Sequence, residues 1–177
     1  MRDGRARIPC VRLTGMTTAH RSLALAAVLA ALAACDRKQP PIDGIGPWHI
    51  GKSVKSEGTI CQPLEDGMTF CSHNPQMNIA EHRASVDLYF RGHQDSAPLS
   101  EILLALGPCD VQAVDRWLTN KLGVAPARRG RAPVWPGKSS TVVALLPAQD
   151  GVCEIHFLEP DDEKRLAQLE KESQPKP

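Results

Sequence analysis

The residues most able to carry chemistry in this chain are its six cysteines and six histidines. Cys61 and Cys71 lie close to His73 in the sequence, and thiolates and imidazoles are both good zinc ligands. Their spacing does not match a compact ligand pattern such as paired Cys-x-x-Cys units, so we expect no metal site. A zinc site that also uses His49 and His82 is the alternative.

The sequence contains no pattern with catalytic specificity. It has no Gly-x-Ser-x-Gly elbow, no His-Glu-x-x-His pair and no phosphate-binding glycine loop. Adjacent polar pairs such as Glu81-His82 and Asp161-Asp162 are typical of a solvated surface. We therefore expect no catalytic residue and no cofactor, and the sequence favours a binding role over an enzymatic one.

Residues 23–34 form an apolar run without a charged or polar side chain. The run is too short to span a membrane as a helix, which takes about 20 residues, but with Arg21 before it the run fits a secretory signal. It ends in Leu32-Ala33-Ala34-Cys35, which resembles the lipobox of bacterial lipoproteins. The resemblance implies cleavage between Ala34 and Cys35, a diacylglycerol thioether on Cys35, and acylation of the new amino terminus.

The lipobox resemblance predicts how the chain is organised and where it works. The protein is expected to be held by its lipids on an envelope membrane, inner or outer, and to face the periplasm. The net charge of +1 argues against nucleic acid as a partner. The expected parts are a signal peptide over 1–34 with Met16 as a candidate true start, a lipidated tether over 35–44, one globular domain over 45–172, and a disordered tail over 173–177.

Four cysteines remain once Cys10 falls within the signal and Cys35 carries lipid: Cys61, Cys71, Cys109 and Cys153. An even number in an exported domain indicates disulfides, with three possible connectivities. We favour Cys61–Cys71, across a turn-rich stretch, and Cys109–Cys153, between a helix start and a strand. Loop-closure entropy gives about 3 kcal/mol for the first bridge and about 4 kcal/mol for the second.

The hydrophobic periodicity predicts an α+β fold with an antiparallel sheet built from hairpins. Val86, Leu88 and Phe90 show the period-two pattern of a half-buried strand. The strongest hairpin signal is the turn Asp150-Gly151, between the apolar residues 141–146 and 152–159. Weaker strands are predicted over 45–50 and 68–71. Residues 101–106 are more apolar, so helix and strand are both open, and we favour a strand that ends at Gly107-Pro108.

Two helices are predicted. The first covers about 110–122, with Asp110 as its N-cap, Gly123 as its stop and Trp117 on its core-facing side. The second opens with Pro160-Asp161-Asp162-Glu163 and runs to about residue 172, with a narrow apolar stripe of Leu166 and Leu169. The order of elements indicates two loosely similar halves, an arrangement that resembles small inhibitor-type and assembly-type envelope lipoproteins.

Residues 125–137 contain three prolines and the basic cluster Arg128-Arg129-Gly130-Arg131. We interpret this stretch as a solvated loop. The alternative is that Arg128, Arg129 and Arg131 contact lipid headgroups or an acidic partner. His156 alternates with Ile155 and Phe157, so it is expected on a solvent face or on the polar side of the sheet.

These observations favour a membrane-anchored envelope lipoprotein with a non-catalytic binding role. An accessory subunit of an envelope complex and an inhibitor or immunity-type protein both fit, and either would have an envelope protein as its partner. The alternative is a periplasm-facing hydrolase or metal-dependent enzyme that uses the histidines near Cys71.

Overall fold

The computed structural model describes residues 42–53, 60–148 and 150–174, without the side chains of residues 73–76. The predicted signal peptide, Ala34, Cys35 and most of the predicted tether lie outside these residues. The described part forms ten strands and two helices. Their bounds are β1 Gly44–Ile45, β2 Trp48–His49, β3 Ile60–Pro63, β4 Met68–Ile79, β5 His82–Arg91, β6 Leu99–Leu106, α1 Val111–Leu122, β7 Ala127–Arg129, β8 Ala132–Pro136, β9 Thr141–Leu145, β10 Cys153–Leu158 and α2 Glu163–Glu172.

Eight of the strands form one antiparallel sheet in the order β3-β4-β5-β6-β10-β9-β8-β7. The first meander, β3 to β6, and the second meander, β7 to β10, each add strands in chain order toward the centre. They meet at β6 and β10, where Leu106 lies opposite Cys153 and Glu101 lies opposite Leu158. The expected α+β fold with an antiparallel sheet built from hairpins is confirmed.

Each face of the sheet has its own apolar core. On one face, α1 buries Val114 and Leu118 in a large cluster that contains alternate residues of the central strands, such as Leu104 and Ile155. On the other face, α2 buries Leu166 and Leu169 in a smaller cluster formed with the second meander: Ala132, Val134, Val143, Leu145 and Leu158. The two helices therefore cover opposite faces.

The placement of the helices bears on the two predicted halves. Each meander is followed by one helix, so the order of elements repeats. The antiparallel strands β6 and β10 would be related by a two-fold axis perpendicular to the sheet. Such an axis would place both helices on the same face, whereas they cover opposite faces. The halves thus share strand order and differ in helix placement, and their similarity stays a prediction.

Local chemistry explains where the helices begin and end. Asp110 Oδ1 accepts a hydrogen bond from the Ala113 N–H at 3.0 Å, and the Gly123 N–H donates to the Thr119 carbonyl. The predicted caps of α1 are therefore confirmed. α2 begins at Glu163, the last residue of the predicted opening stretch, because Asp162 is its N-cap and accepts a hydrogen bond from the Arg165 N–H.

The structure differs from the sequence expectations at both ends of the domain. The predicted strand over 45–50 is a small hairpin, because the chain turns at Gly46-Pro47 with a positive φ at Gly46. The fold already includes Ile42, whose carbonyl accepts a hydrogen bond from Ser140. At the other end, Ser173 still contacts Arg131. No helix within the described ranges is long and apolar enough to cross a membrane.

The expectation of a solvated loop over 125–137 is wrong. Residues 127–129 and 132–136 pair as the β7–β8 hairpin, and β8 also pairs with β9. Val134 and Trp135 are buried, and the Trp135 indole N–H donates to the Gly123 carbonyl at 2.9 Å. Burial of these two side chains on opposite faces overrides the loop-forming character of the nearby prolines and glycine.

Candidate functional site

Both predicted disulfides are confirmed. Cys61 and Cys71 lie opposite each other on β3 and β4 and are bonded, and Cys109, just before α1, is bonded to Cys153 on β10. Sulfur atoms that are bonded to each other are not thiolates, so they do not offer zinc the ligands it prefers. Within the described ranges, no three histidine, cysteine or carboxylate residues are grouped so as to hold a metal ion.

The histidines considered as zinc ligands have separate surroundings. His49 Nδ1 lies 3.4 Å from an Asp43 carboxylate oxygen, at the β1–β2 hairpin. His82 is half-buried at the start of β5, and the side chain of His73 lies outside the described atoms.

The three candidate arginines lie on the β7–β8 hairpin and have different contacts. Arg128 Nη1 donates to the carbonyl of Arg131 at 3.0 Å. Arg129 Nη2 pairs with Glu163 of α2 at 2.9 Å. Arg128 and Arg131 are exposed, whereas Arg129 is half-buried and helps to join the hairpin to α2.

His156 is 1 % exposed, so of its two expected surroundings a solvent face is wrong, whereas the polar side of the sheet agrees with its contacts. Its Nδ1 lies 2.7 Å from Glu101 Oε1, and its Nε2 lies 3.4 Å from Glu154 Oε2. Arg165 of α2 donates from Nε and Nη2 to the same Glu101 carboxylate at 3.0–3.2 Å. Strands β6 and β10 and helix α2 thus meet at one buried ion-pair network, which we call the Glu101 network.

Proton equilibria in the Glu101 network follow from its contacts. Burial by itself would raise the pKa of Glu101, but His156 and Arg165 outweigh it and hold the pKa below its ordinary value. Burial would lower the pKa of His156, but hydrogen bonds to Glu101 and Glu154 outweigh it and raise that pKa. These contacts therefore favour an ionised Glu101 and a protonated His156 in the folded protein.

The contacts of the Glu101 network fit a structural role better than a catalytic one. Both oxygens of Glu101 accept hydrogen bonds from neighbouring cations, and both ring nitrogens of His156 face carboxylates. A general base needs a free lone pair within reach of substrate. The bidentate contact of Arg165 instead fastens α2 to the sheet.

The first meander presents a second surface, on the same face of the sheet that α2 covers over the second meander. Along β5 and β6, the apolar residues that point to the α1 side are fully buried, whereas the residues on this side are half-buried or exposed, apart from Glu101. Its apolar members are packed in neither core cluster. We call this surface the open face; its half-buried side chains are Met68, Phe70, Asp87, Tyr89, Leu103 and Ala105.

The open face has a defined arrangement. Phe70 and Tyr89 are opposite each other on β4 and β5, with ring centroids 5.3 Å apart and planes tilted by 49°. One row further along, Asp87 lies opposite Leu103, and Leu103 lies opposite His156 on its other side. Aromatic, acidic and aliphatic groups thus lie within neighbouring rows of one sheet surface.

Asp87 differs from the other acids near the open face. Partial burial raises its pKa, and a hydrogen bond with Ser72 opposes the rise only in part. Glu101 and Glu154 face His156, but no cation among the described side chains forms an ion pair with Asp87.

A cleft of about 400 Å³ connects the open face to the edge of the Glu101 network. Met68 and Tyr89 line it from the sheet, and Arg165 and Gln168 line it from α2. Burial and the negative charge of Glu101 raise the pKa of the Tyr89 hydroxyl, so it stays protonated and able to donate a hydrogen bond there.

Sequence reasoning did not identify Glu101, Arg165 or the open face. Glu101 lies 55 residues from His156 and 64 from Arg165, and periodicity carries no information on such pairs. The alternation of β5 did place Asp87 and Tyr89 on one face. It did not reveal that no helix of the described chain covers that face.

Comparisons of the chain with protein-family models, with curated proteins and with solved structures gave no significant match.

Proposed function

We propose that this protein is a lipid-anchored component of a bacterial cell envelope that binds another protein through its open face and catalyses no reaction. One observation carries the proposal. A four-stranded surface with two adjacent aromatic rings and a leucine is packed in neither hydrophobic core. These apolar side chains are half-buried and lie next to one another, and contiguous apolar surface outside a core, unlike single scattered residues, marks interaction sites.

The composition of the open face supports a protein as the partner. Tyrosine and phenylalanine bury a large area with few rotatable bonds, and aromatic residues dominate the energetics of protein interfaces. The buried imidazole–carboxylate pair His156–Glu101 is saturated by its contacts within the Glu101 network.

The membrane anchor in this proposal rests on the lipobox residues Leu32-Ala33-Ala34-Cys35. A Cys35→Ser precursor should remain in the cytoplasmic membrane unprocessed, and it should not incorporate labelled palmitate. Labelling of the variant equal to wild type would contradict the anchor. Arg128 and Arg131, which are exposed on the β7–β8 hairpin, remain candidates for headgroup contact beside that anchor.

Site-specific photocrosslinking in living cells tests the binding role. A photoreactive phenylalanine analogue replaces Tyr89 on the open face or, as the matched control, Gln112 on the exposed side of α1. We expect one protein adduct of constant mass from position 89 and none from position 112. Equal labelling at both positions, or no protein adduct at either, would contradict the proposal.

A further inference from the structure

We infer that the partner meets the open face with a segment in which a lysine or arginine lies next to an apolar side chain, the cation pairing with Asp87 and the apolar group resting on Tyr89 and Leu103. The inference rests on the proposed binding role and adds the chemistry of the partner.

The apolar part of the surface is divided by Asp87. Asp87 and Tyr89 are alternate residues of β5, so their side chains lie on the same face about 7 Å apart along the strand. Leu103 lies opposite Asp87 on β6. A segment laid across β5 and β6 would contact an aromatic ring, a carboxylate and a leucine within one short span.

The charge on this surface determines which charge a partner should carry. Glu101 is neutralised by His156 and Arg165, and Glu154 lies 3.4 Å from the His156 ring. Asp87 has only the Ser72 hydroxyl as a hydrogen-bond partner among the described side chains. Covering an ionised carboxylate without a cation would cost free energy, whereas a cation in the interface would offset that cost.

Other occupants fit the same surface less well. An uncompensated carboxylate repels the anionic headgroups of a membrane surface. A second copy could offer Arg128 and Arg131, but these lie at the opposite end of the sheet, on β7–β8. That contact would be head-to-tail and would leave the open face of the last copy uncovered.

A charge-swap experiment tests the inference on the oxidised chain from residue 36 onward. The described residues include the whole sheet, both cores and both disulfides, so this chain contains its complete core. Short random peptides displayed on phage are selected on the immobilised protein, and enriched peptides are synthesised. Their affinity is measured for wild type and four variants. Asp87→Asn and Asp87→Lys change the charge, and the double variant Tyr89→Ala/Leu103→Ala removes the apolar contacts. Asp115→Lys, on the exposed side of α1, is the control.

We expect enriched peptides to carry a basic residue next to an apolar one. Asp87→Lys should weaken their binding by about tenfold or more, and exchanging the peptide's basic residue for glutamate should restore it. Asp87→Asn should give a smaller loss, and Asp115→Lys should give none. Circular dichroism and a thiol count confirm that each variant is folded and oxidised.

Four outcomes would overturn the inference. Peptides that need Tyr89 and Leu103 but ignore the charge at position 87 would refute the partner's chemistry and leave the binding role intact. Association with phosphatidylglycerol vesicles that Tyr89→Ala/Leu103→Ala abolishes would assign the face to a membrane, because contact through Arg128 and Arg131 would survive that variant. Self-association in sedimentation that Asp87→Lys abolishes would assign the face to a second copy. If no peptide depends on Tyr89 and Leu103, and photocrosslinking also fails, the binding role itself is contradicted.

Discussion

Leu103 and Leu104 are consecutive residues of β6 whose side chains have opposite surroundings. Leu104 is completely buried in the larger apolar core, on the face that α1 covers. Leu103 is half-buried on the open face and belongs to neither core. The same residue type one position apart thus packs in a core on one side of the sheet and lies outside both cores on the other.

This pair provides a matched test of the open face. Leu104→Ala should lower the free energy of unfolding by about 2–5 kcal/mol, because it leaves a cavity in a close-packed core. Leu103→Ala should lower it by about 1 kcal/mol or less, because little of its packing is lost. Urea unfolding of both variants measures the difference. Equal losses would show that the open face is part of the core.

Removing the central charge of the Glu101 network should strongly lower the stability of the fold. Glu101→Gln leaves His156 and Arg165 in a buried site without their carboxylate, so we expect a loss of about 3–5 kcal/mol. The matched control is Glu159→Gln, which removes a more exposed ion pair with Arg91 and should cost less than about 1 kcal/mol. Thermal or urea unfolding compares the two. A mild effect of Glu101→Gln would show that the network does not hold α2.

The same network predicts a pH dependence of stability. The pKa of His156 is raised in the fold from its ordinary 6.5, so the stabilisation by the imidazolium is complete below that value and is lost as the pH rises through the higher, folded pKa. The slope for this one proton is at most about 1.4 kcal/mol per pH unit. The pKa of Glu101 is lowered from 4.5, so its stabilisation is lost as the pH falls through the folded value.

Urea midpoints of wild type and His156→Gln, followed from neutral to alkaline pH, isolate the histidine contribution. The wild-type midpoint should fall more steeply than that of the variant over this range. Parallel curves would mean that His156 gains no proton affinity on folding.

Asp87→Asn should stabilise the unbound protein near neutral pH. Folding raises the pKa of Asp87, so ionisation above that pKa works against the folded state, and an amide removes this cost while it can still accept from Ser72. The gain should be less than about 1 kcal/mol because the side chain is partly solvated. It should vanish near pH 3, where the aspartate is neutral. A destabilised variant at pH 7 would argue that Asp87 has a structural role.

The two disulfides should differ in their contributions. Cys109–Cys153 closes 44 residues and Cys61–Cys71 closes 10, so loop entropy gives about 4 and about 3 kcal/mol respectively. Paired alanine substitutions compared by urea unfolding measure each loss. Equal stability of the variant without Cys109–Cys153 and the wild type would exclude this account.

The parts of the fold that depend on neighbouring residues could be predicted from the sequence. Asp110 and Gly123 mark the ends of α1 through contacts within a few residues. The alternation around Ile155 correctly put His156 on the opposite face from the larger core. Helix α2 covers that face and contacts it through Arg165. No local sequence pattern predicts this long-range contact.

The β7–β8 hairpin was missed for a different reason. Arginine, glycine and proline all disfavour strands as isolated residues, but Trp135 and Val134 are buried on the two faces once β9 pairs beside them. Tertiary burial outweighs local preference here. The disulfide pairing could be predicted from the sequence because each bridge connects two cysteines of one predicted half. Cys61 and Cys71 belong to the first half, and Cys109 and Cys153 belong to the second.

The central pairing of the sheet joins β6 and β10, which are separated along the chain by α1 and three strands. Without β10, β6 has one unpaired edge, and such an edge is a template for pairing with another chain. Cys153 lies on β10 opposite the end of β6, and Cys109 follows that end by three residues. The bridge between them therefore keeps β10 beside the edge that it fills.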